Sequence, residues 1–415
     1  MSGTDNSYGI EALNVYAGLL QVPVSEIFRG RGLDAQRQEN LIMYQRSIGL
    51  PFEDPVTNAV NAARPMLDAL PPEDVARIEL VITSTESGLD FSKSVASYVH
   101  DKLGLPSTCR TLEVKQACFA ATAALQLAIG YVSCGMSPGA KVLLIATDVA
   151  LVDEVAGYAE PATGHGAVAL LIGDDPRVFA VDFGAFGNHS YETPDSARPG
   201  PTFDIADVDR SLFAYLDCLS HSYADYATKV DGADFAATFD YLAMHTPFAG
   251  LVKAGHRKLM RETAGAGAAV IEEDFKRRVL PSLTYPSRVG NMCSGSVYLS
   301  LASLIDNAEI EGGARVGMYA YGSGCSSEFF SGTVNGASRQ ALAGAAIGAR
   351  LDRRREIDFE TYHELLPENL RCLVPQADTE VDVNRHLKLL PDGDPGSLLV
   401  HTGTKDYHRQ YGWLG

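Results

Sequence analysis

Residues 114–125 read Val114-Lys115-Gln116-Ala117-Cys118-Phe119-Ala120-Ala121-Thr122-Ala123-Ala124-Leu125. The Thr, Leu and Val of the segment before it, Thr108 to Val114, predict a short strand. The stretch that follows, Phe119 to Val132, is apolar on nearly every face, which predicts a buried helix rather than a surface one. Ala and Thr crowd its first turns and let other backbones approach closely. Cys118 therefore stands where a strand turns into a buried helix. Unpaired N–H groups and partial positive charge at a helix start favour a thiolate. Donors there also suit the oxyanion of a thioester reaction. The plainer alternative is an inert buried cysteine, since free Cys is among the most buried residue types. Deciding between them requires the other residues that a reactive thiol needs.

A chain of 415 residues is long enough for two or three domains and a large core. Its 46% hydrophobic and 21% charged residues fit a globular chain rather than a disordered one. The net charge of -18 repels nucleic acid and anionic membrane, so neither is expected as a partner. Seven cysteines without C-x-x-C spacing imply reduced thiols in a cytoplasm, not a disulfide framework or a zinc site. The N-terminus has no basic region followed by an apolar core, and no apolar stretch is long enough to span a membrane.

Strand and helix patterns alternate along the whole chain, which predicts α/β layers. Ile10–Val15, Glu79–Thr83, Lys141–Ala146 and Ala167–Ile172 read as strands of the first half. Leu33–Ser47, Val56–Leu70 and Lys93–Leu103 read as helices, the second interrupted at Pro65 and ended by Pro71-Pro72. The second half repeats the grammar. Val178–Phe183, Tyr241–Met244 and Val316–Tyr321 read as strands, and Leu212–Lys229, Phe248–Thr263 and Val297–Ala308 as helices. Gly187–Pro201 reads as a polar loop, Asp352–Glu356 as a solvated charge run, and Thr246 as the cap of the helix after His245.

Thr85–Ser94, the Cys118 stretch, His245-Thr246-Pro247-Phe248 and Tyr321-Gly322-Ser323-Gly324 each lie at or just after a predicted strand end. Ligands of open α/β sheets gather at the carboxyl ends of strands, so one shared site is expected. Glu86 beside an apolar strand suits a general base, and His245 ends an apolar strand. Gly322-Ser323-Gly324 and Gly290-Asn291-Met292 are weaker signals, read equally as plain turns. His165 has no second His or Cys at ligand spacing, so no metal is expected. A Cys–His–Glu set fits a cysteine hydrolase as well as a carbon–carbon bond-forming enzyme, and spacing does not choose.

The chain resembles 3-hydroxy-3-methylglutaryl-CoA synthases. Thr85-Glu86-Ser87-Gly88 with Ser92-Lys93-Ser94, and Lys115-Gln116-Ala117-Cys118, carry the resemblance in the first half. His245-Thr246-Pro247-Phe248, Gly290-Asn291-Met292 and Tyr321-Gly322-Ser323-Gly324-Cys325 carry it in the second. Gly9–Val15, Glu53–Thr57 and the tail Tyr407–Trp413 resemble the branch that serves polyketide synthases, whose members install β-alkyl branches on carrier-protein-bound chains. Three places depart from the family's pattern: His165 where relatives have a small residue, Ala121 where they have Gly, and the unmatched segment 150–157.

The resemblance implies a thiolase-like α/β fold, two similar halves stacked as five αβαβα layers, and a homodimer. The halves would be 1–173, with the catalytic Cys and Glu, and 174–415, with the catalytic His. Cys118 would be the acetylated nucleophile, Glu86 the general acid/base, and His245 the hydrogen-bonding partner of the acceptor carbonyl. Asn291, Ser323, Gly324, Tyr158 and Pro247 would bind the substrate. The substrates would be phosphopantetheine thioesters on donor and acceptor acyl carrier proteins, with no metal, nucleotide or redox cofactor. An acidic carrier protein needs a local basic patch on this acidic chain, and Arg31, Lys253 and Arg257 are the docking residues expected. Two alternatives stay open: a primary-metabolism synthase using acetyl-CoA and acetoacetyl-CoA, and a non-catalytic thiolase-fold scaffold.

Overall fold

In the computed structural model, which describes residues 7–149, 159–391 and 397–415, five runs of the first half become strands. They are β1 (Gly9–Tyr16), β2 (Ile78–Ser84), β3 (Arg110–Val114), β4 (Lys141–Asp148) and β5 (Gly166–Gly173). Their order is β1-β5-β4-β2-β3. β2 runs parallel to β3 and β4, and β5 runs antiparallel to β1 and β4. β4 and β5 are buried on both faces, which is why their sequences are near-continuously apolar. Alternate side chains serve different layers. Val81, Leu143 and Ile145 pack on α1 (Pro55–Asp68) and α2 (Val95–Leu103). Leu80, Ile82 and Leu144 pack on α3 (Ala120–Ser133).

The second half contains β6 (Phe179–Ser190), the hairpin β7 (Ser196–Gly200) and β8 (Phe203–Ala206), α4 (Val208–Lys229), β9 (Tyr241–Met244), α5 (Ala249–Ala264), α6 (Ser296–Asn307), β10 (Ala314–Gly322) and β11 (Ser326–Val334). Its order β6-β11-β10-β9 repeats β1-β5-β4-β2, with the same parallel and antiparallel senses. α6 shares one core with α3, while α4 and α5 cover the far face of the second sheet. The stack is therefore helix, sheet, helix, sheet, helix, the five thiolase-like layers expected. The two sheets meet where Gly9 pairs with Ala180 and Ile10 with Phe179. A Cβ on Gly9 would lie 2.1 Å from the Phe179 carbonyl oxygen, so only glycine permits this junction.

Several expected elements differ. The Leu33–Ser47 helix stops at Leu41, because Gln45–Ile48 pairs as a strand with Leu20–Pro23. α1 runs through Pro65, its Asp54–Thr57 capping box and buried face outweighing one lost hydrogen bond. The 187–201 loop is largely strand: β6 extends to Ser190 on the β11 ladder, and β7 pairs with β8. Thr246 does not cap α5; its Oγ1 donates to the Met244 carbonyl. Arg354, inside the charge run, is buried and donates to the Leu351 and Arg288 carbonyls.

The last segment returns to the first half. Arg355–Glu356 pairs with Leu20–Gln21. Asn61 of α1 bonds both ways to Leu399, and Arg409 pairs with Asp54 at 3.2 Å. Segments beyond residue 354 thus pack against the first half.

Candidate active site

Glu86, Cys118 and Asp148 follow or end β2, β3 and β4, three adjacent parallel strands, so their carboxyl ends bring the three side chains to one place. Cys118 is carried on a tight turn in which Phe119 N donates to Gln116 O and Ala120 N to Ala117 O. Ala117 sits at φ 43°, a strained left-handed conformation that over-determined sites tolerate. The Cys118 thiol donates to Glu86 Oε1 at 3.0 Å. This contact reverses the expected thiolate. A hydrogen bond with Cys293 favours the ionised sulfur, but burial and the Glu86 carboxylate outweigh it and push the thiol up to about 12. α3 begins at Ala120, two residues after Cys118.

His245 follows β9, the strand that occupies in the second half the place of β2, so it is the structural counterpart of Glu86. It is buried, and burial holds its imidazole neutral, down to about 3. Its Nδ1 is buried and has no hydrogen-bond partner among the described residues. Its backbone is pinned instead: its N–H donates to Tyr319 O, and its carbonyl accepts from Tyr215 OH.

The turn after β10 links the halves. A Cβ on Gly322 would lie 2.4 Å from Phe119 N and 2.6 Å from Gln116 O, so glycine lets this turn lie against the Cys118 loop. Tyr321, whose ring centre is 6.4 Å from that of His245, donates to Asp195 Oδ2, and Gly324 N donates to Asp195 Oδ1. Asp195 thus ties Tyr321, beside His245, to the same turn that lies against the Cys118 loop. Ser323 and Gly324 are half-buried on this turn. Asn291 is bridged to Thr163 and accepts from Ser296 Oγ, and two residues later Cys293 reaches Cys118. Pro247 stands half-buried beside the head of α5. Tyr158 and the unmatched segment 150–157 lie outside the described residues.

The expected docking residues separate. Arg31 is held inward: its guanidinium makes two 2.9 Å hydrogen bonds to buried Glu160 and stacks on Phe359. Lys253 pairs with Glu272 at 2.8 Å. Arg257 is exposed on the rim of an open cleft of about 560 Å³ lined also by Leu212, Phe213 and Phe248.

Sequence reasoning missed four residues at the site: Asp148, Asp195, Arg198 and Cys293. Asp148 Oδ1 accepts from Thr85 Oγ1, Ser87 Oγ and the N–H groups of Glu86 and Ser87, a socket beneath Glu86. Burial and the Glu86 charge raise its pKa, while Arg198 opposes them. An acid closing an apolar strand was the available signal for it. Arg198 and Asp195 fell in the segment read as loop, and Cys293 beside the Asn291 turn carried no spacing signal. Cys118, Cys293 and Glu86 hold their ligand atoms within 4.8 Å of one another, the one such group of three among the described residues that could hold a metal. His165 is not part of it; it is buried, and burial takes its imidazole down to about 3. Ala121 is core on α3.

Residues 6–177 match the family described as hydroxymethylglutaryl-coenzyme A synthase N terminal, and residues 260–374 its C-terminal counterpart. The chain is 42% identical to the polyketide biosynthesis 3-hydroxy-3-methylglutaryl-ACP synthase PksG of Bacillus subtilis, over 98% of this chain and 99% of that one. It superposes with a TM-score of 0.95 on the curacin biosynthetic pathway HMG synthase in complex with apo donor-ACP, at 43% identity, covering 98% of this chain and all of that one. MvaS in complex with 3-hydroxy-3-methylglutaryl coenzyme A is similar at 30% identity and a TM-score of 0.85, with 99% of each chain covered.

Proposed function

Because the chain belongs to the hydroxymethylglutaryl-CoA synthase family, we propose that it adds an acetyl-derived carboxymethyl group to the β-ketone of a carrier-protein-bound polyketide intermediate. The observation that carries the chemistry is the 3.0 Å contact from the Cys118 thiol to Glu86 Oε1. The observation that carries the substrate class is the greater likeness to the polyketide relatives, 42–43% against 30%.

The geometry supports the following sequence. Glu86 takes the Cys118 proton as sulfur attacks an acetyl thioester, and the phosphopantetheine thiol leaves with a proton. The contact explains how a thiol held near 12 reacts at neutral pH: its base is already in place. Glu86 then removes a methyl proton of acetyl-Cys118, and the enolate attacks the acceptor ketone. Neutral His245 donates a hydrogen bond to the developing alkoxide, which is protonated to a tertiary alcohol. Water cleaves the Cys118 thioester, releasing the carboxylate and restoring the thiol. Fixing both partners on one protein makes carbon–carbon bond formation effectively unimolecular. Proton transfer and hydrogen bonding suffice for each step, so no metal or redox cofactor enters the proposal.

We place carrier-protein docking at the cleft between α4 and α5, where a helical partner would lie on the apolar floor with an acidic group toward Arg257 and away from Glu39 and Asp209, which also line it. Lys253 contributes less there, since Glu272 offsets its charge. The same reading gives separate donor and acceptor carrier proteins, a cytoplasmic location and a homodimer formed beside the edge strand β3, where Phe91 and Leu127 are exposed. Among the described residues no helix is long and apolar enough to cross a membrane.

Intact-mass measurement tests the reading. Acetyl-loaded carrier protein should acetylate Cys118 quickly, acetyl-CoA slowly, and the Cys118→Ser variant should gain no adduct. Arg257→Glu should slow the carrier reaction in a salt-dependent way and leave the acetyl-CoA reaction unchanged. Equal wild-type rates with both donors would favour the primary-metabolism alternative.

A further inference from the structure

Arg198 lies on β7, in the second half, yet its side chain reaches the loop that carries Glu86 in the first. Its Nε and Nη2 donate to the two oxygens of Asp204 on β8, at 2.6 and 3.0 Å. This bidentate fork fixes the plane of the guanidinium. Nη1 donates to the Glu86 carbonyl at 3.0 Å and to Ser87 Oγ at 3.3 Å. Nη2 lies 3.9 Å from Glu86 Oε2. That last separation is too long for a hydrogen bond and short enough for a strong charge interaction. The arginine is largely buried. Burial works against its charge, but Asp204 and Glu86 more than offset this and hold its pKa above the ordinary value.

The two Glu86 oxygens therefore face different neighbours: Oε1 the Cys118 thiol, Oε2 the guanidinium. The other ionisable groups around Glu86 are Asp148 beneath its backbone and the thiols of Cys118 and Cys293. All three are acids. Arg198 is the one cation within ion-pair distance of Glu86 among the described residues.

We propose that Arg198, aimed by Asp204, is a positioning residue for Glu86: it supplies the positive charge facing Oε2 and leaves Oε1 turned toward the acetylated sulfur. The proposal rests on the reading of Glu86 as the base that removes the methyl proton. It gives the hairpin β7–β8 a function: the second half completes the proton-transfer site of the first.

The test reads deuterium uptake into the methyl group of acetyl-Cys118 by mass, across pH, after acetyl loading. In Arg198→Met the lower limb of the exchange profile should move to higher pH by about one unit or more, the rate recovering at high pH. Arg198→Lys should restore most of the wild-type profile, because the charge returns without the fork. Arg198→Gln should move the limb in the same direction as Arg198→Met. An arginine that merely ties the hairpin to the loop would lower the rate equally at every pH, and that result overturns the proposal, as does an unchanged profile. If Arg198→Met fails to fold, Arg198→Gln decides, and an unmoved limb there overturns the proposal. Glu86→Gln run in parallel separates the two readings. Undiminished exchange in Glu86→Gln removes Glu86 as the base. Lost exchange there with an unmoved limb in the arginine variants removes only Arg198.

Discussion

Replacing Glu86 by Gln should make Cys118 more reactive toward a simple alkylating agent while making the enzyme far worse at its own chemistry. The thiol is pushed up to about 12, against burial that remains in the variant and a carboxylate that does not. A unit charge at the 3.0 Å thiol–carboxylate separation is worth at most ~6 kcal/mol at an effective dielectric of about 20. Glu86 is partly solvated, so a shift of about one to two units, or about 1.4–2.7 kcal/mol, is the expected size. The thiolate fraction at about pH 8 then rises roughly ten- to hundredfold. Alkylation by iodoacetamide, followed by intact mass without substrates, should accelerate by that factor. Methyl-proton exchange on acetyl-Cys118 should fall by about 10²–10⁴ in the same variant, the usual cost of losing a general base. Opposite movement of the two rates is the signature. Slower or unchanged alkylation in Glu86→Gln would show that the carboxylate does not hold the thiol protonated, and the electrostatic reasoning would fail.

His245→Gln should still load acetyl on Cys118 within a few-fold of wild type, while condensation, measured as product per acetyl-enzyme, falls about 10²–10³-fold; equal losses in both steps would count against its role at the acceptor. His165 is held neutral in the folded state, at about 3, and takes a proton in the unfolded chain below the ordinary 6.5. Its stabilising contribution is complete above pH 6.5 and is lost progressively as pH falls toward 3. Urea denaturation should therefore show His165→Gln losing about 2 kcal/mol less than wild type between pH 7 and pH 5, and parallel losses would contradict the assignment. Arg31→Met removes the guanidinium from buried Glu160, leaving the Tyr362 hydroxyl on its carboxylate, and should cost about 3 kcal/mol, read as a lower thermal midpoint, with carrier-protein affinity unchanged in the folded fraction; a loss of affinity without a loss of stability would instead place Arg31 on the docking surface.

The α/β class and most strands were legible because burial on both faces demands continuous apolar runs, as in β4 and β5, and such runs survive any arrangement of the layers. The positions of Glu86, Cys118 and His245 at strand ends were legible for the same reason: an apolar run that stops at a polar residue marks where a sheet gives way to a site. The sequence alone left open what reaction a Cys–His–Glu set performs, and the family resemblance supplied it.

Tertiary structure alone decided the protonation state of Cys118. Local sequence argues for a thiolate at a helix start, but a carboxylate from 32 residues away sits at 3.0 Å and reverses the sign. It also decided which arginines are available: Arg31 is spent on Glu160, 129 residues distant, and Arg198, in a segment without apolar pattern, is carried by a hairpin to Glu86. Strand pairing made that hairpin where periodicity predicted loop, because backbone ladders do not require apolar side chains. Local pattern reports which faces are buried. Which charges meet across the halves depends on contacts between residues far apart in the chain, and no periodicity encodes those distances.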